Sequence, residues 1–138
     1  MKLIFTITTV LLLIVSCKHE AVEPEQSLAE GNGSNACDSN KVYFENDILP
    51  IFVASCAFSG CHDAGTAISG VVLTNYEETI NSNVIVAGEP NNSEIFKRII
   101  ELDINERMPL GGNRLPQEEI DKIELWILDG ALNSSCDD

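Results

Sequence analysis

The chain has 138 residues, with 8 Lys and Arg against 22 Asp and Glu and a formal net charge of −14. That length suits one small domain. The acidic balance argues against nucleic acid and anionic lipid as electrostatic partners and favours docking to basic surfaces.

Met1 and Lys2 form a short basic start, and Leu3 to Val15 is an apolar run broken only by threonines. Thirteen residues at a rise of ~1.5 Å reach roughly 20 Å, short of a bilayer core of about 30 Å. Residues 1–16 therefore read as a secretory signal peptide. Ile14-Val15-Ser16-Cys17 is similar to the lipobox of bacterial lipoproteins, in which a small residue precedes an acylated cysteine. That resemblance implies lipidation of Cys17 and a mature chain held to a membrane of a bacterial cell envelope, facing the periplasm or the exterior. The alternative is an ordinary signal peptide with an incidental cysteine. Loss of residues 1–16 removes Lys2 and no acid, taking the charge from −14 to −15.

Residues 17–36 contain Glu20, Glu23, Pro24, Glu25, Glu30 and a Gly31–Asn35 run, with no apolar periodicity. They read as a flexible tether, and His19 within it as a bystander. The domain occupies 37–138. Val42, Phe44, Ile48, Leu49, Ile51 and Phe52 predict a helix that Pro50 either restarts or kinks. Residues 63–73 are rich in Gly, Ala and Ser and read as loop. Thr74 or Asn75 then caps a short helix through Ile80.

Asn92 or Ser93 caps the next helix, whose stripe is Ile95, Phe96, Ile99, Ile100 and Leu102. Met108-Pro109-Leu110-Gly111-Gly112-Asn113 is a loop by its turn residues. Pro116 suits a first helical position, with Gln117, Glu118 and Glu119 near the positive helix end. Ile120, Ile123, Trp126 and Ile127 give the buried face, and Gly130 ends the helix. Short helices on long loops make a weak core for ~100 residues, to which a large apolar cofactor would add.

The chain has five cysteines, and with Cys17 assigned to lipid four remain: Cys37, Cys56, Cys61 and Cys136. Two disulfides, in any of about three connectivities, are the plain reading in an oxidising compartment. The run Cys56-Ala57-Phe58-Ser59-Gly60-Cys61-His62 offers another. Covalent haem attachment uses two thiols and an imidazole beside the second, usually as C-x-x-C-H. Here the cysteines are four residues apart, and Gly60 supplies backbone freedom for the longer loop. A zinc site would need a fourth ligand, and adjacent Cys61 and His62 rarely share a tetrahedral ion. If haem is present, Met108 is the candidate second ligand. It follows His62 by 46 residues in a Pro/Gly turn, and is the only methionine after the signal. A thioether opposite His raises the reduction potential, which suits electron transfer. A methionine filling a core gap is the alternative.

Over roughly residues 42 to 132 the sequence resembles the planctomycete-type small c-type cytochrome domains. The likeness rests on Asp47-Ile48-Leu49-Pro50-Ile51-Phe52, then Cys61-His62, then Ser69-Gly70-Val71-Val72-Leu73 with Tyr76. Val86-Ala87-Gly88-Glu89-Pro90 with Ser93, Arg107-Met108-Pro109, and Trp126-Ile127 with Gly130-Ala131 complete it. The C-x4-C spacing departs from the family pattern. The resemblance implies an all-α, cytochrome c-like helical domain with long loops around one covalent haem c. His62 and Met108 would be its axial ligands, and Cys56 and Cys61 its attachment points. In that reading Cys37 and Cys136 are left as a pair, and a bond between them would bracket the domain.

The implied function is one-electron transfer between redox partner proteins at an envelope membrane, without catalysis. No catalytic nucleophile or general acid–base pair is recognisable, and His/Met ligation leaves no open iron position. Two rivals stand beside it. One is a haem-free, disulfide-stapled lipoprotein acting as a binding or structural module. The other is a haem sensor or small peroxidase, which loss of Met108 from the iron would permit.

Overall fold

The computed structural model describes residues 37–136. Residues 1–16, read as a signal peptide, and 17–36, read as a tether beginning at the candidate lipidation site Cys17, lie outside the described residues. Within them the architecture is all-α: four short α-helices, one π-helical turn and two 3₁₀ turns, with no strand among the described residues. No helix among the described residues is long and apolar enough to cross a membrane.

Pro50 shapes the first element. It has no N–H to donate, and its ring clashes with the carbonyl of the preceding helical turn. The chain answers with a π-helical turn over Phe44–Ile48, followed by helix α1 over Leu49–Ser55 with Pro50 in its first turn. Phe44, Ile48, Ile51 and Phe52 keep helical spacing across the junction, so one apolar face is buried along both pieces.

Helix α2 spans Tyr76–Asn81 and begins at a true N-cap. The Asn75 Oδ1 accepts the Glu78 N–H at 2.9 Å, while the Glu78 carboxylate accepts from Thr74 Oγ1 at 2.6 Å and Asn75 Nδ2 at 2.8 Å. These bonds satisfy donors that a helix start leaves open.

Helix α3 spans Glu94–Ile100. Ser93 is its N-cap residue, as expected, but its side chain makes no capping hydrogen bond. Its buried hydroxyl instead accepts the Val86 N–H at 2.8 Å and faces the Glu89 carbonyl at 3.0 Å, closing the 86–93 loop. The helix also stops before Leu102, which is 84 % exposed and no part of the apolar stripe. The Glu101 carboxylate accepts the Leu102 and Asp103 N–H groups, turning the chain out of the helix.

Helix α4 spans Gln117–Leu128, with Pro116 at the N-cap, one position ahead of the first helical residue. Ile120, Ile123, Trp126 and Ile127 are buried. The Trp126 ring lies 5.2 Å from Phe44 and 6.2 Å from Phe52, and Tyr76 joins at 5.1 Å from Phe44. After α4, Gly130 (φ 95°) and Ala131 (φ 51°) are both left-handed. This reversal lets the Trp126 Nε1–H donate to the Leu132 carbonyl at 3.0 Å and the Tyr76 hydroxyl to the Ala131 carbonyl at 2.9 Å. Buried Trp126 and half-buried Tyr76 thereby satisfy their polar ends.

The chain ends of the domain are tied together. A Cys37–Cys136 disulfide joins residues 99 apart, with Cα atoms 5.1 Å from each other. Beside it Glu45 N–H donates to the Ser134 carbonyl at 3.1 Å and Cys136 N–H to Asn46 Oδ1 at 2.9 Å.

Two stability outcomes follow from this packing, read by denaturant unfolding. Trp126→Ala costs about 3–5 kcal/mol, the range for deleting a large buried aromatic. The Cys37→Ser/Cys136→Ser double variant costs up to about 4–5 kcal/mol, from the loop that the bond closes.

Candidate functional site

Four segments supply the walls of one cavity: the end of α1 with its following loop, the stretch before α2, the stretch after α2 at Val84, and α3 with the 101–115 loop. The cavity encloses about 340 Å³, near the lower end of ligand pockets at roughly 300–1,000 Å³. Val71, Leu73, Val84, Ile95 and Ile99 give it apolar walls, and Cys56, His62 and Met108 all line it.

Cys56 is the C-cap of α1, its N–H bonded to the Phe52 carbonyl at 2.8 Å. Burial pushes its thiol up to about 12, with the charges of Glu119 and Cys61 adding to the shift. Burial and neighbouring negative charge both disfavour thiolate, so Cys56 is a neutral thiol at physiological pH.

The loop from Cys56 to His62 closes by backbone bonds. The Cys61 N–H donates to the Phe58 carbonyl at 2.9 Å and the His62 N–H to the Cys56 carbonyl at 3.3 Å. Gly60 sits at φ 91°, a left-handed angle that disfavours a side chain, and its N–H donates to Thr66 Oγ1 at 3.0 Å. Thr66 also hydrogen-bonds Asp63 and holds that carboxyl below its ordinary range. The two extra residues therefore bulge outward, as Phe58 at 52 % exposure shows.

His62 is oriented by its neighbours. Its carbonyl accepts the Leu73 N–H at 3.0 Å, and its Nδ1 lies 3.3 Å from the Val71 carbonyl. A carbonyl only accepts, so Nδ1 carries the proton and Nε2 keeps its lone pair. The Val71 segment is itself fixed, because the Val72 N–H donates to Ser82 Oγ at 2.9 Å.

Met108 reaches the same cavity from the long loop after α3. Its N–H donates to the Arg98 carbonyl of α3 at 3.0 Å, and the Arg107 N–H to the Asp103 carbonyl at 2.8 Å. Asp103 also accepts from the Asn105 N–H at 2.9 Å, which lowers its carboxyl pKa. Arg98 adds side-chain ties, with Nε 2.7 Å from Glu94 and Nη1 3.2 Å from Glu106.

Of the residues singled out in the sequence, Cys56, His62 and Met108 share this cavity. Cys61 does not: it is exposed and absent from the wall, although it neighbours His62. Cys56 and Cys61 are both free, so they do not form the disulfide weighed as an alternative. Among the described residues no three His, Cys, Asp or Glu side chains converge to hold a metal ion, which disfavours the zinc reading. The Glu94–Arg98 pair on the wall was missed, although its i,i+4 spacing on a helix was a readable signal. Glu119 beside Cys56 carried no sequence signal, since 63 residues separate them.

These features define a small all-α domain in which a histidine, a methionine and a cysteine converge on an apolar cavity. Residues 59–109 match the family model described as Planctomycete cytochrome C, so this part of the chain is similar to that family. The match takes in Cys61, His62 and Met108 and begins after Cys56. No curated protein and no solved structure matches the chain.

In haem-free protein at pH 8, iodoacetamide modifies Cys61 well before Cys56, because Cys56 is buried and its thiol stays protonated until far higher pH. Peptide mapping during alkylation measures the order.

Proposed function

We propose that the chain is an exported, lipid-anchored monohaem c-type cytochrome that passes single electrons between partner proteins at a bacterial cell envelope. The observation that carries this reading is the convergence of His62, Met108 and Cys56 on one apolar cavity within or beside the family match.

The donor set suits a haem. His62 offers an Nε2 lone pair on a ring oriented by the Val71 carbonyl, the arrangement usual for metal-ligating histidines. Met108 offers a thioether from a loop pinned to α3 through Arg98. Cys56 offers a thiol on the wall for thioether attachment, and Val71, Leu73, Val84, Ile95 and Ile99 offer apolar surface to a porphyrin. When bound, the haem supplies one-electron exchange between ferric and ferrous iron. His62 and Met108 would hold its iron, a donor pair that would raise the potential and suit electron transfer.

The exposed position of Cys61 bears on attachment. Cys56 is on the cavity wall, so a thioether there needs less loop movement than one at Cys61. The net charge of −14 favours redox partners with basic docking surfaces. The apolar run before Cys17 supports export and lipid anchoring, as the lipobox resemblance implies.

Protein made in a host with haem-maturation machinery is red, has a reduced α-band at the c-type position, and stays coloured through acid–acetone extraction. Met108→Ala changes the oxidised spectrum and lowers the midpoint potential. A colourless, correctly exported product supports the haem-free binding module instead. An unchanged oxidised spectrum in Met108→Ala contradicts methionine ligation and favours a sensor or small peroxidase.

A further inference from the structure

Apolar side chains scattered singly over a surface are ordinary, whereas several gathered on one segment mark an interaction site. Among the described residues the three most exposed large apolar side chains are Leu102, Leu110 and Ile104, at 84 %, 64 % and 60 % exposure. All three lie on the loop 101–110. They add nothing to the core, since α3 ends at Ile100 and the Glu101 carboxylate turns the chain outward. The loop is nonetheless ordered. The Glu106 and Arg107 N–H groups both donate to the Asp103 carbonyl, and the Met108 N–H ties the segment back to α3.

The charges among these residues say what covers them. Glu101, Asp103 and Glu106 stand on the loop against one base, half-buried Arg107. Asp103 and Glu106 are exposed, and the Asn105 hydrogen bonds hold the Asp103 carboxyl below its ordinary range. Segments that sink into a lipid surface carry Lys and Arg beside their apolar residues, and this one carries acids. A second copy of a chain of net charge −14 would set acid against acid. The cover that fits has an apolar centre and a basic rim, which is the anatomy of a protein–protein interface.

We propose that the 101–110 loop is the docking face for a redox partner protein, which meets Leu102, Ile104 and Leu110 with an apolar centre and the acids with a rim of Lys and Arg. The inference rests on the proposed function and gives the partner a place on the fold. The same loop carries Met108 to the cavity, so a partner seated on it touches the segment that holds the proposed iron ligand. The exchange moves one electron from ferrous iron in this chain to an oxidised partner, and no bond is made or broken.

The probe is a basic, lysine-rich c-type cytochrome in its ferric form, mixed with the full haem-loaded protein in detergent. Carbodiimide coupling to the probe's lysines, mapped by mass spectrometry, places cross-links on Asp103 and Glu106. Stopped-flow absorbance gives the second-order transfer rate. Leu102→Ser/Ile104→Ser lowers that rate about tenfold, the loss expected for central interface anchors, and leaves the midpoint potential in place. Leu128→Ser, exposed on α4 and away from the cavity wall, keeps the wild-type rate. An unchanged rate in the double variant, or cross-links confined to other carboxylates, overturns the assignment. A wild-type rate that falls to the double variant's when the protein moves into phosphatidylcholine vesicles gives the loop to the membrane instead. A dimer in sedimentation that the double substitution separates gives it to a second copy, and either result overturns the proposal. Protein without haem overturns the cytochrome reading and this inference with it, whereas haem-bearing protein with unaltered transfer in the double variant overturns the inference alone.

Discussion

The packing of Trp126 against Phe44 and Phe52 is the constraint on which the domain depends. It joins the last helix to the first, and the Pro50-driven π-helical turn sets the angle at which Phe44 meets it. The left-handed pair Gly130 and Ala131 then turns the chain so that the indole N–H and the Tyr76 hydroxyl both reach carbonyls. The cavity lies between helix α3 and the loops that carry His62, Val84 and Met108.

Loops can hold a site if their backbones are pinned, and both relevant loops are. The 56–73 stretch is tied by His62 to Cys56 and Leu73 and by Val72 to Ser82. The Met108 loop hangs from the Arg98 carbonyl and from the Asp103 turn. These are backbone and short-side-chain bonds, which lose little rotamer entropy when they form. The His62 ring and the Met108 thioether are thus presented from different loops with their directions set before any ligand arrives, which reduces the ordering cost of binding.

Much of this was legible in the sequence where a periodic apolar face existed. Helix α4 was readable because Ile120, Ile123, Trp126 and Ile127 repeat at helical spacing and Gly130 stops them. The α2 cap was readable because Asn75 stands directly before Tyr76 with Glu78 three residues on. Ser93 was legible as the N-cap position. That its hydroxyl would close the 86–93 loop instead of bonding the helix was not, since that depends on where Val86 lies. Leu102 was placed on the stripe because its spacing fits, yet Glu101 redirects the chain first. The difference between Cys56 and Cys61 was not legible at all. Spacing shows that two thiols are near each other, whereas burial on the cavity wall is a tertiary property.

The central claim is that the cavity holds one haem joined covalently to this polypeptide. Intact mass spectrometry of protein matured with the haem-attachment machinery, followed by peptide mapping, tests it most directly. The account predicts a polypeptide heavier by one haem, with the haem on a peptide containing Cys56 and Cys37 linked to Cys136. A polypeptide without added haem, with Cys56 and Cys61 both open to alkylation after unfolding, would contradict it.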